Sequence, residues 1–407
     1  MSAAGYSPSG AVRAFRAATA EQIAFGALAA TIFSLGFSIV FEQVFAGFCL
    51  LMFGVALFKG QVRLRWAPVL GLCAAFVGVA VLTSGFGPLG SLVRLWGRTG
   101  KLCWFALLPA ALALAGGLER SRPLLVAFVA GTVVTGLKVC VRNPVQAWLN
   151  RSPDFLTALI DKGSMKDGQL LMLGMVIVLT VIGAAIRSGR RVPVWLWLTL
   201  TLQAAGLMVN FKRGSWFCAF ALGGLIVLMH LRWRAWLILA AAVAALLLLP
   251  PVQTRLGQLR REFNPEGGGR LTMWFKVAPR LIHEHPFGIG YGTLTPRIMR
   301  SADRHVEPNR NHLHSNVAQI LVETGWLGFA LYAAWTLASF RNHFRWLARA
   351  RGESQTAQSV AFAFLLLFAG LLLNGLVEYN FGDTQLMMLY AIVMGIAARQ
   401  ALPSCVP

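Results

Sequence analysis

The sequence predicts an all-α, polytopic membrane protein with about twelve transmembrane helices and one large, partly helical loop on the outer side. Two observations carry this expectation. Of 407 residues, 57% are hydrophobic and 13% are charged, against about 25% charged residues in an ordinary soluble domain. Runs of roughly 20 apolar residues recur along the chain, each able to cross about 30 Å of hydrocarbon. The runs are apolar throughout and do not alternate, so they read as helices that satisfy their own backbone hydrogen bonds, not as barrel strands.

The apolar runs place spans near 22–39, 42–58, 66–84, 101–118, 123–140, 168–186, 193–211, 215–231, 234–252, 316–340, 357–377 and 383–400. This divides the chain into nine helices with short loops over 1–252, a large loop over 253–315, and three closing helices with a C-terminal tail over 316–407. Met1–Glu21 reads as a cytoplasmic tail, because Arg13 and Arg16 are followed by no apolar core with a small-residue cleavage site. The cysteines Cys49, Cys73, Cys103, Cys140, Cys218 and Cys405 form no CxxC or other paired spacing, so neither a disulfide nor a cysteine metal site is expected.

Charge orients the chain. With both termini inside, the inner loops collect Lys59, Arg63, Arg65, Arg120, Arg122, Arg187, Arg190, Arg191, Arg232, Arg234, Arg341, Arg345, Arg349, Arg351 and Arg399, with few acids among them. That is the positive-inside pattern. It leaves an excess of cations outside, much of it in 253–315 (Arg255, Arg260, Arg261, Arg270, Lys276, Arg280, Arg297, Arg300, Arg304 and Arg310). A basic outward face attracts polyanions; contact with anionic head groups is the plainer reading of the same residues.

Three outer segments carry residues suited to chemistry. In the first, Asn210-Phe211-Lys212-Arg213-Gly214-Ser215, two adjacent cations occupy a very short connection. Snorkelling would explain them. The alternative is that Arg213 enters a wet cavity and grips an anion with its two-pronged guanidinium. In the second, Gly267-Gly268-Gly269-Arg270-Leu271-Thr272-Met273-Trp274, a helix starting near Arg270 would aim free backbone N–H groups at an anion. The Gly288-Ile289-Gly290-Tyr291-Gly292 run that follows has no P-loop lysine and follows a helix, so it reads as a backbone turn.

The third segment is Asn309-Arg310-Asn311-His312-Leu313-His314-Ser315-Asn316. Five of the seven histidines (His283, His285, His305, His312 and His314) lie in the outer loop or at its end. An imidazole titrates near neutrality and can accept a proton from a hydroxyl. An interfacial capping role is the plainer reading of His314. Beyond it, Asn316, Gln319 and Glu323 share one helical face, and an intramembrane Glu323 should face the bundle interior with a partner. Nine residues separate Glu323 from His314, nearly opposite around the helix, so Glu323 is not expected to orient that ring. Asp383 is a candidate partner for an arginine. His283-Glu284-His285 lacks HExxH spacing and no carboxylate cluster suits magnesium, so no metal site is expected.

His314-Ser315, nine residues, then Gly325-Trp326-Leu327-Gly328 resembles the signature of the O-antigen ligases, often called WaaL proteins, within a wider ligase/polymerase superfamily. An arginine at the seventh-to-eighth turn, an Arg-x3-Trp helix in one large loop and a Pro-x-Gly-x-Gly turn resemble that family too. The resemblance implies a GT-C-like membrane fold in a Gram-negative inner membrane, with its site facing the periplasm. It implies a donor polysaccharide on undecaprenyl pyrophosphate, a lipid A–core acceptor, surrounding membrane lipids, and neither cofactor, metal nor nucleic acid. In that reading Arg213 and Arg270 stabilise the leaving pyrophosphate and His314 is the base, with Lys212, Arg310, His312 and Asn316 binding substrate. An O-antigen polymerase, a protein O-oligosaccharyltransferase and a transporter of anionic lipid are the rival readings. Transport would need charges along several spans, and most strong charges stop at the outer edge.

Overall fold

The computed structural model describes residues 18–150, 154–230 and 250–403, except 258, 263, 265 and 309, with a few isolated positions between 231 and 249. The described residues are helical or irregular, with no strand among them. Eleven elements frame the site: α1 (Ala20–Ser34), α2 (Ile39–Phe58), α3 (Pro68–Phe86), α4 (Leu107–Leu114), α5 (Leu118–Leu149), α6 (Met165–Arg187), α7 (Val194–Asn210), α8 (Arg213–His230), α9 (Asn316–Ala350), α10 (Gln355–Val377) and α11 (Thr384–Ala401). Of these, α2, α3, α5, α6, α9 and α10 are long and apolar enough to cross a membrane. This is the make-up of a polytopic membrane protein, although six such helices do not establish twelve crossings. The span expected at 234–252 lies largely outside the described residues.

Two expected spans differ from the observed elements. The run at 101–118 is not one α-helix: Leu95–Thr99 leads into a 3-10 stretch, Gly100–Ala106, and only then into α4. Pro109 lies in the first turn of α4 and has no N–H to bond back to residue 105, which favours tighter winding before it. The run at 316–340 extends to Ala350 and is broken at Gly325, whose φ of 67° and ψ of −172° are not helical.

The break at Gly325 is where the two glycine motifs meet. The Pro286–Gly290 turn docks on it through Ile289 N to Val322 O at 3.0 Å, Gly290 N to Glu323 O at 3.0 Å and Trp326 N to Pro286 O at 3.1 Å. A Cβ on Gly325 would lie 2.3 Å from the carbonyl carbon of Phe287, so only glycine fits there. The Gly-rich run is thus a turn, as its sequence predicts. Glu323 has a buried partner, as expected of it: Gln319 donates to Oε1 of its carboxylate at 2.8 Å, while Oε2 has no hydrogen-bond partner among the described residues.

Side-chain fit, not exclusion of water, has to hold helices together inside a bilayer. Beneath the site, Phe76, Phe105, Tyr332, Trp335, Phe381 and Tyr390 interlock; Phe381 lies 5.0 Å from Tyr390 and 5.4 Å from Tyr332, centroid to centroid. Such pairs contribute about 0.5–1.5 kcal/mol each beyond their buried area. Phe381 belongs to the tight turn between α10 and α11, so this cluster fixes the segment that carries Glu378 and Asn380.

Candidate active site

The turn from α7 to α8 positions Lys212 and Arg213. Phe211 ends α7 in the left-handed region, at φ 53°, a conformation that costs a non-glycine residue of order 1–3 kcal/mol. Asn210 offsets it by clamping Ser164 with both amide atoms, at 2.9 and 2.8 Å, and the Trp216 indole donates to Leu207 O at 2.9 Å. The reversal is tight enough to place Arg213 on the first turn of α8.

Arg270 opens the helical segment 270–284 after Gly269, as the sequence predicts; its second turn is widened into a π-helix, Met273–Val277. The Trp274 indole reaches across to Leu313 O at 2.7 Å, and Leu313 N donates to the Gln319 side chain at 2.8 Å. Both backbone groups of Leu313 are therefore fixed just before His314. His314 itself is left-handed at φ 51°. With Phe211 it makes the pair of non-glycine residues at positive φ among those described, and each sits at a turn of the site. Ser315 then caps α9.

These turns converge on one cavity of about 580 Å³, lined by Lys212, Arg213, Arg270, Arg310, His312 and His314 together with Asp161, Glu262, Glu307 and Glu378. The arginines are paired with carboxylates. Glu262 lies 2.9 Å from Arg213, 3.4 Å from Arg270 and 3.7 Å from Arg310. Arg270 also donates to Glu378 at 2.5 Å, and Arg310 to Glu307 at 2.9 Å. The Arg270–Glu262 contact is an ion pair too poorly aligned for a hydrogen bond, and the Arg270 Nε has no acceptor among the described residues. Arg213 and Arg270 are 13% and 11% exposed at their side chains, which rules out snorkelling into open water.

His314 is braced on both ring nitrogens: Nδ1 is 3.1 Å from Glu378 Oε2, and Nε2 is 3.1 Å from Arg310 Nη1. A carboxylate only accepts and a guanidinium only donates, so partner chemistry fixes the tautomer. Nδ1 carries the proton and Nε2 presents its lone pair. Burial pushes the Glu378 carboxyl up, but the hydrogen bond from His314 and the charge of Arg270 outweigh it and hold the group below its ordinary range. His312 packs against His314 at 4.1 Å between ring centroids, and its Nδ1 accepts from His314 N at 3.2 Å. Burial, then the neighbouring His314, push the His312 imidazole down to about 4.

Residues 198–333 match the protein-family model described as Wzy_C, O-antigen ligase. The match covers about a third of the chain. It includes Arg213, Arg270, Arg310, His314 and both glycine motifs, and stops before Glu378. It supports glycosyl-transfer chemistry of the O-antigen ligase or polymerase kind in general and does not separate the two. No curated protein matches the chain.

Of the residues picked out from sequence, Lys212, Arg213, Arg270, Arg310, His312 and His314 share the cavity. Asn316 does not line it. It lies beneath, 1% exposed, bonded to the Asn380 side chain and accepting from Asn380 N at 2.9 Å and Phe381 N at 3.2 Å. Its contacts join α9 to the α10–α11 turn and reach no substrate space. Asp383 pairs with no arginine among the described residues: its carboxylate caps α11 by accepting from Gln385 N and Leu386 N. Two acids of the cavity, Glu378 and Glu262, are not singled out by the sequence reading.

Proposed function

We propose that this chain is an O-antigen ligase, transferring polysaccharide from undecaprenyl pyrophosphate to a hydroxyl of lipid A–core on the periplasmic face of a Gram-negative inner membrane. The observation that carries this reading is the His314 ring beside Arg213 and Arg270 in one cavity, its Nδ1 on Glu378 and its Nε2 accepting from Arg310, which lines the same cavity. Family similarity supports a lipid-linked polysaccharide as substrate, and the geometry supports this division of labour.

In the proposed reaction the acceptor oxygen attacks the anomeric carbon as the bond from that carbon to the pyrophosphate oxygen breaks. The hydroxyl proton passes to His314 Nε2, and Glu378 stabilises the imidazolium that forms. Negative charge grows on the leaving pyrophosphate, and fixed guanidinium groups in a poorly hydrated site lower the barrier to it. Arg213 and Arg270 take that part, and the Arg270 Nε is a donor with capacity to spare. Diphosphate oxygens would replace Glu262 as the acceptor of the arginine cluster. Arg310 occupies the position the hydroxyl needs at Nε2, so it would move towards the phosphates when donor binds. A single displacement inverts the anomeric centre. The cations belong to the chain, so the proposed step uses no metal or cofactor, and activity should persist in EDTA.

Purified protein given the lipid-linked donor and lipid A–core as sole acceptor tests the assignment. Capped lipid A–core and free undecaprenyl pyrophosphate are expected. A lengthened donor with lipid A–core untouched would make the chain a polymerase. Movement of donor across liposomes without any transfer would make it a transporter.

A further inference from the structure

A second cavity lies at the other end of the same helices. α6 meets the cationic site through Met165, and α7 meets it through the turn at its C-terminal end. Their far ends, with α5 and α10, enclose a groove of about 790 Å³. Leu125, Val129, Val133, Ile177, Val181 and Leu196 are among its walls, so it is apolar along its length. From Ile177 to Ala185 it follows about 12 Å of helix, most of the roughly 15 Å of hydrocarbon in one leaflet.

The charges at this groove are all of one sign. Arg122, Arg190 and Arg191 stand at its mouth, and none of its described lining residues is acidic. All three arginines are exposed. Arg190 is nonetheless held in place: it donates to the Gln355 side chain, which donates in turn to Ala184 O at 3.4 Å. That contact ties the end of α6 to the start of α10 at the rim of the groove.

We propose that this groove binds an anionic phospholipid, its head phosphate on Arg122, Arg190 and Arg191 and an acyl chain along α5 and α6. Guanidinium forks suit phosphate oxygens, and basic pockets between membrane helices recognise anionic head groups. A soluble anion would leave the aliphatic walls without a partner, and a zwitterionic lipid would bring its own ammonium beside the arginines and offset its phosphate. The site lies at the far ends of α6 and α7 from the cationic cavity, so the proposal stands whether or not the chain is a ligase.

Native mass spectrometry of the purified full chain tests it, with phosphatidylglycerol and phosphatidylcholine of identical acyl chains as probes. Retention of phosphatidylglycerol over phosphatidylcholine by at least about tenfold is expected. The preference should vanish in the triple variant Arg122→Gln, Arg190→Gln, Arg191→Gln. Val129→Trp, which obstructs the trough and keeps the charges, should lower retention of phosphatidylglycerol. Equal retention of the two lipids by the parent chain overturns the proposal without need of any variant. A preference that survives in the triple variant, or displacement of the lipid by inorganic phosphate alone, overturns it equally.

Discussion

Glu378 Oε2 sits 3.1 Å from His314 Nδ1, and the other oxygen of the same carboxylate sits 2.5 Å from Arg270 Nη2. One side chain thus sets the tautomer of the ring and the direction of the guanidinium. Glu378→Gln keeps the shape but removes the charge and allows the ring to flip its proton. Transfer is expected to fall about 10²–10⁴-fold, as for loss of the base in His314→Ala. The two differ in pH profile: Glu378→Gln should move the acid limb, where the base becomes protonated, to lower pH, and His314→Ala should abolish that limb. Activity within a factor of two of the parent in Glu378→Gln would remove the carboxylate from the mechanism.

Arg213→Lys and Arg270→Lys keep a positive charge and lose the planar fork. Each is expected to lower turnover at least about tenfold, with lipid A–core affinity little changed. Steady-state kinetics with each substrate varied in turn would show this. Full activity in both variants would assign the arginines to structure alone.

Glu262 joins Arg213, Arg270 and Arg310. Removing it leaves partly buried cations facing one another. Glu262→Gln is expected to unfold at lower temperature than the parent and to be rescued by added pyrophosphate more strongly than the parent is. Thermal unfolding in detergent, with and without pyrophosphate, measures both. An equal pyrophosphate shift in the two proteins would mean that the carboxylate does not stand where the diphosphate binds.

His312 is held down to about 4 in the folded chain, against an ordinary imidazole value near 6.5. The unfolded chain therefore binds more protons between those values, and stability falls as pH drops through that window. Glu378 adds to the loss at the acid end, because its folded value lies below its unfolded one. Melting temperature should decline steadily below about pH 6.5. His312→Gln should flatten the upper part of that decline and leave the part below about pH 4.5.

Gly325→Ala meets two obstacles. The residue has φ 67°, and the new Cβ would lie 2.3 Å from the carbonyl carbon of Phe287 and 2.5 Å from Pro286 O. A loss of about 2–4 kcal/mol is expected from strain and overlap together. The readout is thermal stability of the purified protein.

The parts of the site that sequence revealed are those marked by residue type at a chain reversal. Arg213 interrupts apolar runs, Arg270 follows three glycines, and His314 stands where a loop becomes a helix. The acids gave no such mark. Glu378 is 64 residues from His314 and 108 from Arg270, and by itself reads as a polar residue at the end of a span. Charge counting shows an excess of cations in the outer loop but not which carboxylates fold back onto the arginines. Asn316 lies outside the cavity lining for a different reason. It adjoins the histidine in sequence, yet helix geometry turns its amide down towards Asn380. The break at Gly325 was hidden because a glycine within an apolar run ordinarily continues the helix. Its cause is the docked Pro286–Gly290 turn, which lies far from it in sequence.

Among the residues around the cationic cavity, Lys212, Arg213, Arg270 and Arg310 face Asp161, Glu262, Glu307 and Glu378, four against four. Within the lining itself these charges offset one another, so the cavity wall adds little net charge of its own. Entry is then governed by exchange at close range, anion for anion, which favours a ligand already held beside the opening by its own lipid tail.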